Sequence, residues 1–323
     1  MPQYSASRFS VAPMLSRTDR HCRYFHRLLT KEAMLYTEMV TTTAIIHGKS
    51  DNLVYNEEEH PVALQLAGNN PSELAHCAKL AEQRGYDEIN FNVGCPSNRL
   101  QSGMFGAWLM AHSVLVADCL KAMRDAVSIP VTIKTRIGID HQDSYAFLCD
   151  FISTVSNRGE CTIFTLHARK AWLYGFTPKA NRDVPSLDYP RVYQLKQDFP
   201  YLSIAINGGV KTLAEAKQHL CYLDGVMMGR EAYQNPAILA RVDNELFGVQ
   251  GAVKDRIAII ESLYTYIDRE LSNGTCLSRI TPHIRGLFQG WPGARQWRRC
   301  LSENVHKPGA DVQVLKQALN WVR

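Results

Sequence analysis

Through the first 240 residues, short runs rich in β-branched side chains alternate about eight times with longer stretches of helical period. Candidate strands lie near Phe9 to Met14, Leu35 to Met39, Pro61 to Leu66, Glu88 to Val93, Val131 to Thr135, Thr162 to His167, Ser203 to Ile206 and Gly225 to Met228. Amphipathic stretches such as Pro71 to Arg84, Ser113 to Val127, Ser144 to Asn157 and Leu213 to Leu220 lie between them. Strands joined by helices are parallel, because a parallel pair needs a long crossover. Eight such units favour a closed (β/α)8 TIM barrel over an open sheet. No G-x-G-x-x-G follows an early strand, which argues against a dinucleotide-binding sheet.

After about Gly251 the strand-like runs stop. Helical periodicity takes over through Val253 to Leu271, Ile280 to Phe288, Ala294 to Asn304 and Asp311 to Val322. This predicts an α/β barrel domain over 1–247 followed by a small helical domain over 252–323, joined at Gly248-Val249-Gln250-Gly251. No apolar run approaches the roughly 18 residues that a membrane span needs. The N-terminus shows no basic segment followed by an apolar stretch, so a cytoplasmic protein without a membrane anchor is expected.

Nine cysteines are scattered with no C-x-x-C, which fits neither a disulfide framework nor a cysteine-rich metal site. No metal is expected, and a reducing compartment suits them. The net charge of +5 becomes informative once divided along the chain. Residues 1–250 carry 25 basic and 25 acidic side chains, and 251–323 carry 11 and 6. Five arginines and no acid lie from Arg279 to Arg299, and Arg169, Lys170, Lys179 and Arg182 stand in a second acid-free stretch from Cys161 to Arg182. Such stretches suit a polyanion, although a solvated basic face is the plainer alternative.

A barrel assembles its site from the carboxyl ends of its strands. Those ends carry Met14, Gln65, Asn92 with Cys95, Lys134, His167 with Arg169, Asn207-Gly208-Gly209 and Gly229-Arg230. Seven of eight strands ending on such residues read as a site. Asn207-Gly208-Gly209 and Gly229-Arg230 fit a phosphate cup after strands seven and eight, with Arg230 supplying charge. Lys134 at the end of a buried strand needs an anionic partner, either a ligand or a structural carboxylate. Cys95 is the one cysteine placed at a strand end. A thiol is mostly protonated at neutral pH, so Cys95 can act as a general acid.

Asn92-Val93-Gly94-Cys95-Pro96-Ser97, with Gly103-Met104-Phe105-Gly106-Ala107 beyond it, resembles the tRNA-dihydrouridine synthases. Ala12-Pro13-Met14, Lys134-Thr135-Arg136, His167-Ala168-Arg169, Asn207-Gly208-Gly209 and Gly229-Arg230 match in order, and the helical tail matches the family layout. His167 to Leu173 and Pro292 to Arg299 are most similar to the bacterial A subfamily, which acts on D-loop uridines. Trp108 departs from the pattern, and packing or stacking is expected of it.

The resemblance implies an FMN enzyme that uses NADPH to reduce the C5–C6 bond of selected uridines in tRNA. It implies hydride transfer from flavin N5 to C6 and a proton from Cys95 to C5. Ala12, Pro13, Met14 and Gln65 would belong to the flavin site, with Met14 and Gln65 against the isoalloxazine and Lys134 at its pyrimidine edge. His167, Asn207, Gly208, Gly209, Gly229 and Arg230 would hold the ribityl phosphate, and Asn92 and Arg169 would face the uracil. The target base must leave its stack to reach the flavin, so RNA has to be gripped outside the barrel. Lys179 and Arg182, with Arg295, Arg298 and Arg299 in the tail, are the candidates. A monomer with tRNA as its partner, and no obligate protein partner, is expected. Two rival readings are a flavin barrel for a free pyrimidine, like the dihydroorotate dehydrogenases, and a non-catalytic RNA-binding barrel.

Overall fold

The computed structural model describes residues 8–97, 103–177 and 179–323, so the first seven residues of the expected barrel domain lie outside it. Eight parallel strands close into a barrel in chain order: β1 (Phe9–Val11), β2 (Met34–Thr41), β3 (Val62–Ala67), β4 (Glu88–Val93), β5 (Val131–Arg136), β6 (Ile163–His167), β7 (Ser203–Asn207) and β8 (Gly225–Met228). β8 pairs back onto β1 through Phe9↔Val226, Ser10↔Met227 and Val11↔Met228. Several of the helices between strands start on side-chain caps. Asn70 caps Pro71–Gln83, Ser144 caps Tyr145–Arg158, and Thr212 with Glu215 forms a capping box for Leu213–Leu220.

The period of two along each strand divides the interior. On β4, Ile89, Phe91 and Val93 join the main apolar core shared with the surrounding helices. Glu88, Asn90 and Asn92 alternate with them and bond across neighbouring strands. A small apolar cluster of Ala12, Met34, Tyr36, Ala63 and Met227 stands apart from the main core. The barrel is thus packed with apolar side chains on one part of its circumference and with polar ones on another.

Several boundaries differ from the sequence expectation. β1 stops at Val11, leaving Ala12 to Met14 as the turn that follows it, and β2 runs on to Thr41 past a register shift between Tyr36 and Met39. In the tail, the stretch expected as one helix from Val253 divides into Arg256–Ser262 and Tyr264–Ser272. The helix expected over Ile280 to Phe288 does not form. Short turns at Leu277–Ile280 and Thr281–His283 stand there instead. Pro282 lacks the amide a continuing helix would use, and Gly286 lies so close to the Gln234 carbonyl that any side chain would collide with it. The sequence there is shaped for contact with the barrel.

That contact is extensive. Trp297 and Phe288 are buried edge to face at 4.9 Å in the same core as the barrel residues. Tyr24 stacks on Tyr266 at 3.8 Å, Arg20 pairs with Glu270, and His283 Nε2 meets Asp19 Oδ1 at 3.1 Å. Residues Gly248 to Asp255, between the helices Val242–Phe247 and Arg256–Ser262, form neither helix nor strand.

Candidate active site

Register brings the polar strand ends together. Asn92 pairs with Lys134, Arg136 with His167, and His167 with Asn207 around the carboxyl rim. Lys134 Nζ reaches past β6 to donate to Asn207 Oδ1 at 3.1 Å. Asn207 Nδ2 in turn donates to the Met227 carbonyl at 2.7 Å. Asn207 is thus engaged within the protein, accepting from Lys134 and donating to Met227.

The Cys95 loop is held from two sides. Asn92 Oδ1 accepts the amides of Gly94 at 3.2 Å and Cys95 at 3.1 Å, while Asn92 Nδ2 donates to Gln65 Oε1 at 2.8 Å. Asn92 thus forms the turn that presents the thiol, and both of its amide atoms are engaged. From the other side, Arg136 Nε donates to the Gly94 carbonyl at 2.8 Å. Its Nη1 donates to the carbonyls of Lys170 at 3.1 Å and Asn181 at 3.2 Å, tying the loop after β4 to the loop after β6. Gly106 closes the turn: its φ of +65° is left-handed, and an added Cβ would run into the Cys95 carbonyl. The Ala107 amide donates to that carbonyl at 2.9 Å.

Electrostatically the rim is crowded with cations. Burial, together with nearby Arg136, drives the Lys134 pKa down to about 7. Burial also lowers Arg136 to about 10 and holds His167 well below its ordinary value, beside Arg136, Lys134, Arg169 and Arg230. Burial raises the Cys95 thiol, an effect that a backbone hydrogen bond and the charges of Arg136, Lys134 and Arg182 only reduce. The thiol therefore keeps its proton at neutral pH.

These features fit an anionic flavin mononucleotide. His167 Nδ1 is buried without a hydrogen-bond partner. A Cβ on Gly229 would meet nothing nearer than Ala12 Cβ at 3.6 Å and Met14 Sδ at 3.9 Å, so any side chain there would occupy the space beside Ala12 and Met14 beyond the ends of β1 and β8. Gly208 and Gly209 have φ of +109° and +77°. Arg230 stands at the rim, half exposed, with Asp183 at 2.7 Å as its counter-ion. Pro13 is half-buried in the turn that carries Met14.

The outer cations divide. Arg169 bonds the carbonyls of Pro185 and Asp183, which lays it across the loop after β6. Lys179 and Arg182 are exposed on the same loop. In the tail, Arg295 and Arg298 line a groove of about 770 Å³ together with Arg285, Trp291, Tyr233 and Gln234. No carboxylate lines it. Arg299 instead pairs with Glu303 at 2.7 Å and is not among the lining residues. Sequence reasoning does not single out Arg285, Arg136 or Asp183 as site residues. Arg285 is nonetheless visible there as a member of the acid-free stretch, and Arg136 as part of Lys134-Thr135-Arg136. Trp108 stacks on His112 at 3.9 Å and packs against the core.

The sequence from residue 10 to residue 322 matches the dihydrouridine synthase (Dus) family. The chain belongs to the dihydrouridine synthase family. Among its synthase relatives, the tRNA-dihydrouridine(20/20a) synthase of Yersinia pestis is 72% identical over 321 residues, covering 99% of this chain and 93% of that one. The enzyme of the same name from Salmonella typhimurium is 70% identical over 317 residues, covering 98% and 96%. In fold, the chain is similar to morphinone reductase in complex with tetrahydroNAD, with a TM-score of 0.52 and 13% identity over 78% of this chain and 90% of that one. It is also similar to 2-naphthoyl-CoA reductase, with a TM-score of 0.53 and 11% identity over 73% and 49%. Both are likenesses of fold. As a dihydrouridine synthase the chain is an oxidoreductase.

Proposed function

We propose that this synthase reduces the C5–C6 double bond of D-loop uridines in tRNA, at the 20/20a positions in its relatives' names, with FMN in the barrel mouth and NADPH as reductant. The observation that carries the reading is the placement of the half-buried Cys95, whose loop Arg136 holds, beside an acid-poor ring of cations at one rim of the barrel.

FMN held there would supply hydride chemistry for the electrophilic C6 of a conjugated uracil. The chain's own residues do the rest. Lys134, placed by Asn207, would offer its charge to the electron-rich pyrimidine edge of the flavin. Met14 and Gln65 would hold the ring, and the space in front of Gly229, with His167 Nδ1 and Arg230, would hold the phosphate. Cys95 Sγ gives its proton to C5, at the end of a loop fixed by Asn92 and Arg136.

A stacked uridine cannot reach that depth and is flipped into the mouth. Arg169, Lys179 and Arg182 on the loop after β6 meet the flipped nucleotide and its flanking phosphates. Arg295 and Arg298 grip RNA in the groove between barrel and tail, where Trp291 and Tyr233 offer aromatic surface. A free pyrimidine would have no use for that groove. We place the synthase in the cytoplasm as a monomer acting on tRNA. Mass-spectrometric counting of dihydrouridine made by Cys95→Ala tests the reading. Product formation falls by about two to four orders of magnitude, the usual worth of a general acid, while tRNA affinity stays. Product at the wild-type rate would remove Cys95 from the reaction.

A further inference from the structure

An amide side chain can be turned by 180° with little change in shape, so only its neighbours decide whether it offers oxygen or nitrogen. In this barrel the decision starts at the Cys95 loop. The Gly94 and Cys95 amides can only donate, so Asn92 gives them Oδ1 and turns Nδ2 toward Gln65. Gln65 must then present Oε1 to Asn92, and its Nε2 donates to Asn90 Oδ1 at 2.7 Å. Asn90 Nδ2 donates to Thr132 Oγ1 at 2.8 Å, and the Thr132 hydroxyl donates to Glu88 Oε1 at 2.7 Å. Tyr36 OH donates to the same oxygen at 2.6 Å. Every bond points the same way, from the Cys95 loop down to a carboxyl group at the barrel floor.

The direction assigned from the backbone amides at the top agrees with the one required by the acceptor at the bottom. Each side chain in the run is buried. Reversing one amide would set donor against donor and acceptor against acceptor, leaving buried polar atoms unmatched at about 1–3 kcal/mol each. Burial lifts the Glu88 pKa to about 7, and the two hydroxyl donors restrain that rise. Barrel interiors are commonly filled by branched apolar side chains. A carboxyl, a hydroxyl and three amides in series are an expensive filling unless their direction is used.

We propose that Glu88, Thr132 and Asn90 are positioning residues whose one-way hydrogen bonds fix both the orientation of the Gln65 amide and the seating of the Cys95 loop. The inference rests on the proposed function only in assigning Gln65 to the flavin. The run leaves Gln65 one N–H of Nε2 and one lone pair of Oε1 beyond those it spends on Asn90 and Asn92. Those are the groups it can offer to a ligand, and their placement is set two strands away.

The test compares Glu88→Met, which removes the acceptor the run ends on, and Thr132→Val, which cuts it, with Thr132→Ser, which restores the hydroxyl. Ile133→Val on the outward face of β5 serves as a control for lost stability. The first readout is peptide-resolved alkylation of Cys95 by iodoacetamide in flavin-free protein. Glu88→Met and Thr132→Val raise the rate about fivefold, the worth of one net hydrogen bond, and Thr132→Ser returns it toward wild type. Rates in Glu88→Met and Thr132→Val no higher than in Ile133→Val overturn the proposal. The second readout is the visible band of added FMN, which shifts in the same two variants and not in the control; an unshifted band overturns the Gln65 arm. Glu88→Met keeps a similar side-chain volume and decides the matter if Thr132→Val does not fold. Alkylation needs neither tRNA nor flavin, so a wild-type protein inactive on tRNA would sink the proposed function and leave this test standing.

Discussion

Lys134 and Asn207 meet inside the barrel although β6 lies between their strands, with Nζ donating to Oδ1 at 3.1 Å. The bond places an ammonium group over the interior without giving it a counter-charge. Its consequence is a lysine whose pKa has fallen to about 7, because burial penalises the charge and Arg136 opposes it.

Stability should therefore depend on pH through Lys134. The unfolded lysine titrates near its ordinary value of 10.5 and the folded one near 7. Between those values the unfolded chain binds more protons, so this group makes stability rise with pH across that window, and its penalty is fully present below pH 7. Lys134→Met is expected to raise the Tm of the flavin-free protein at pH 6.5 and to lose that advantage toward pH 10. The same variant should weaken FMN binding at pH 6.5. In the wild type, FMN affinity should decline between pH 7 and pH 9 as the lysine loses its proton. Equal pH profiles for both proteins would show that Lys134 is not the group concerned.

The turn that seats Cys95 is sensitive at Gly106, where φ is +65° and the Cys95 carbonyl lies close by. Gly106→Ala should push the thiol out of place and cut dihydrouridine formation by up to about a hundredfold, the cost of roughly 1 Å of misplacement. Flavin content should be kept, since the phosphate-end residues lie on β6, β7 and β8. Loss of flavin together with activity would mean that the whole rim had been disturbed.

The groove lined by Arg285, Arg295 and Arg298 divides the tail arginines into two kinds. Arg295→Ala with Arg298→Ala should weaken tRNA binding and flatten its salt dependence, lowering the log–log slope by about 0.7 to 0.9 for each phosphate no longer neutralised. Arg299→Ala should change binding much less, because Arg299 is already paired with Glu303. Filter binding across a salt series separates the two. Equal slopes for all three proteins would make the groove a solvated face.

Much of the barrel is legible because its strands are short and β-branched and the stretches between them, such as Pro71–Gln83 and Tyr145–Arg158, keep a helical period. The rim residues were legible for a related reason: polar side chains such as Gln65, Asn92 and Lys134 are conspicuous at the ends of otherwise apolar runs. Their partners were not. Asn207, expected at a phosphate, also accepts from Lys134, and Asn92, expected at the uracil, also forms the Cys95 turn. Arg136 bonds only carbonyls, three of them from the two connections after β4 and β6, and a carbonyl leaves no mark in a sequence. The segment Ile280 to Phe288 has a helix-like pattern, but Pro282 and the approach of Gly286 to Gln234 override it. Long-range packing, rather than local preference, decides each of these.

The central claim, that a flavin held by this rim passes its electrons to uridine in tRNA, is tested most directly by flavin reoxidation. The purified FMN-loaded protein is reduced with NADPH under anaerobic conditions, and unmodified tRNA, free uridine or orotate is then added while the visible absorbance is followed. Reoxidation by tRNA alone, with dihydrouridine appearing in the RNA, is the predicted result. Reoxidation by the free pyrimidines with none by tRNA would contradict it.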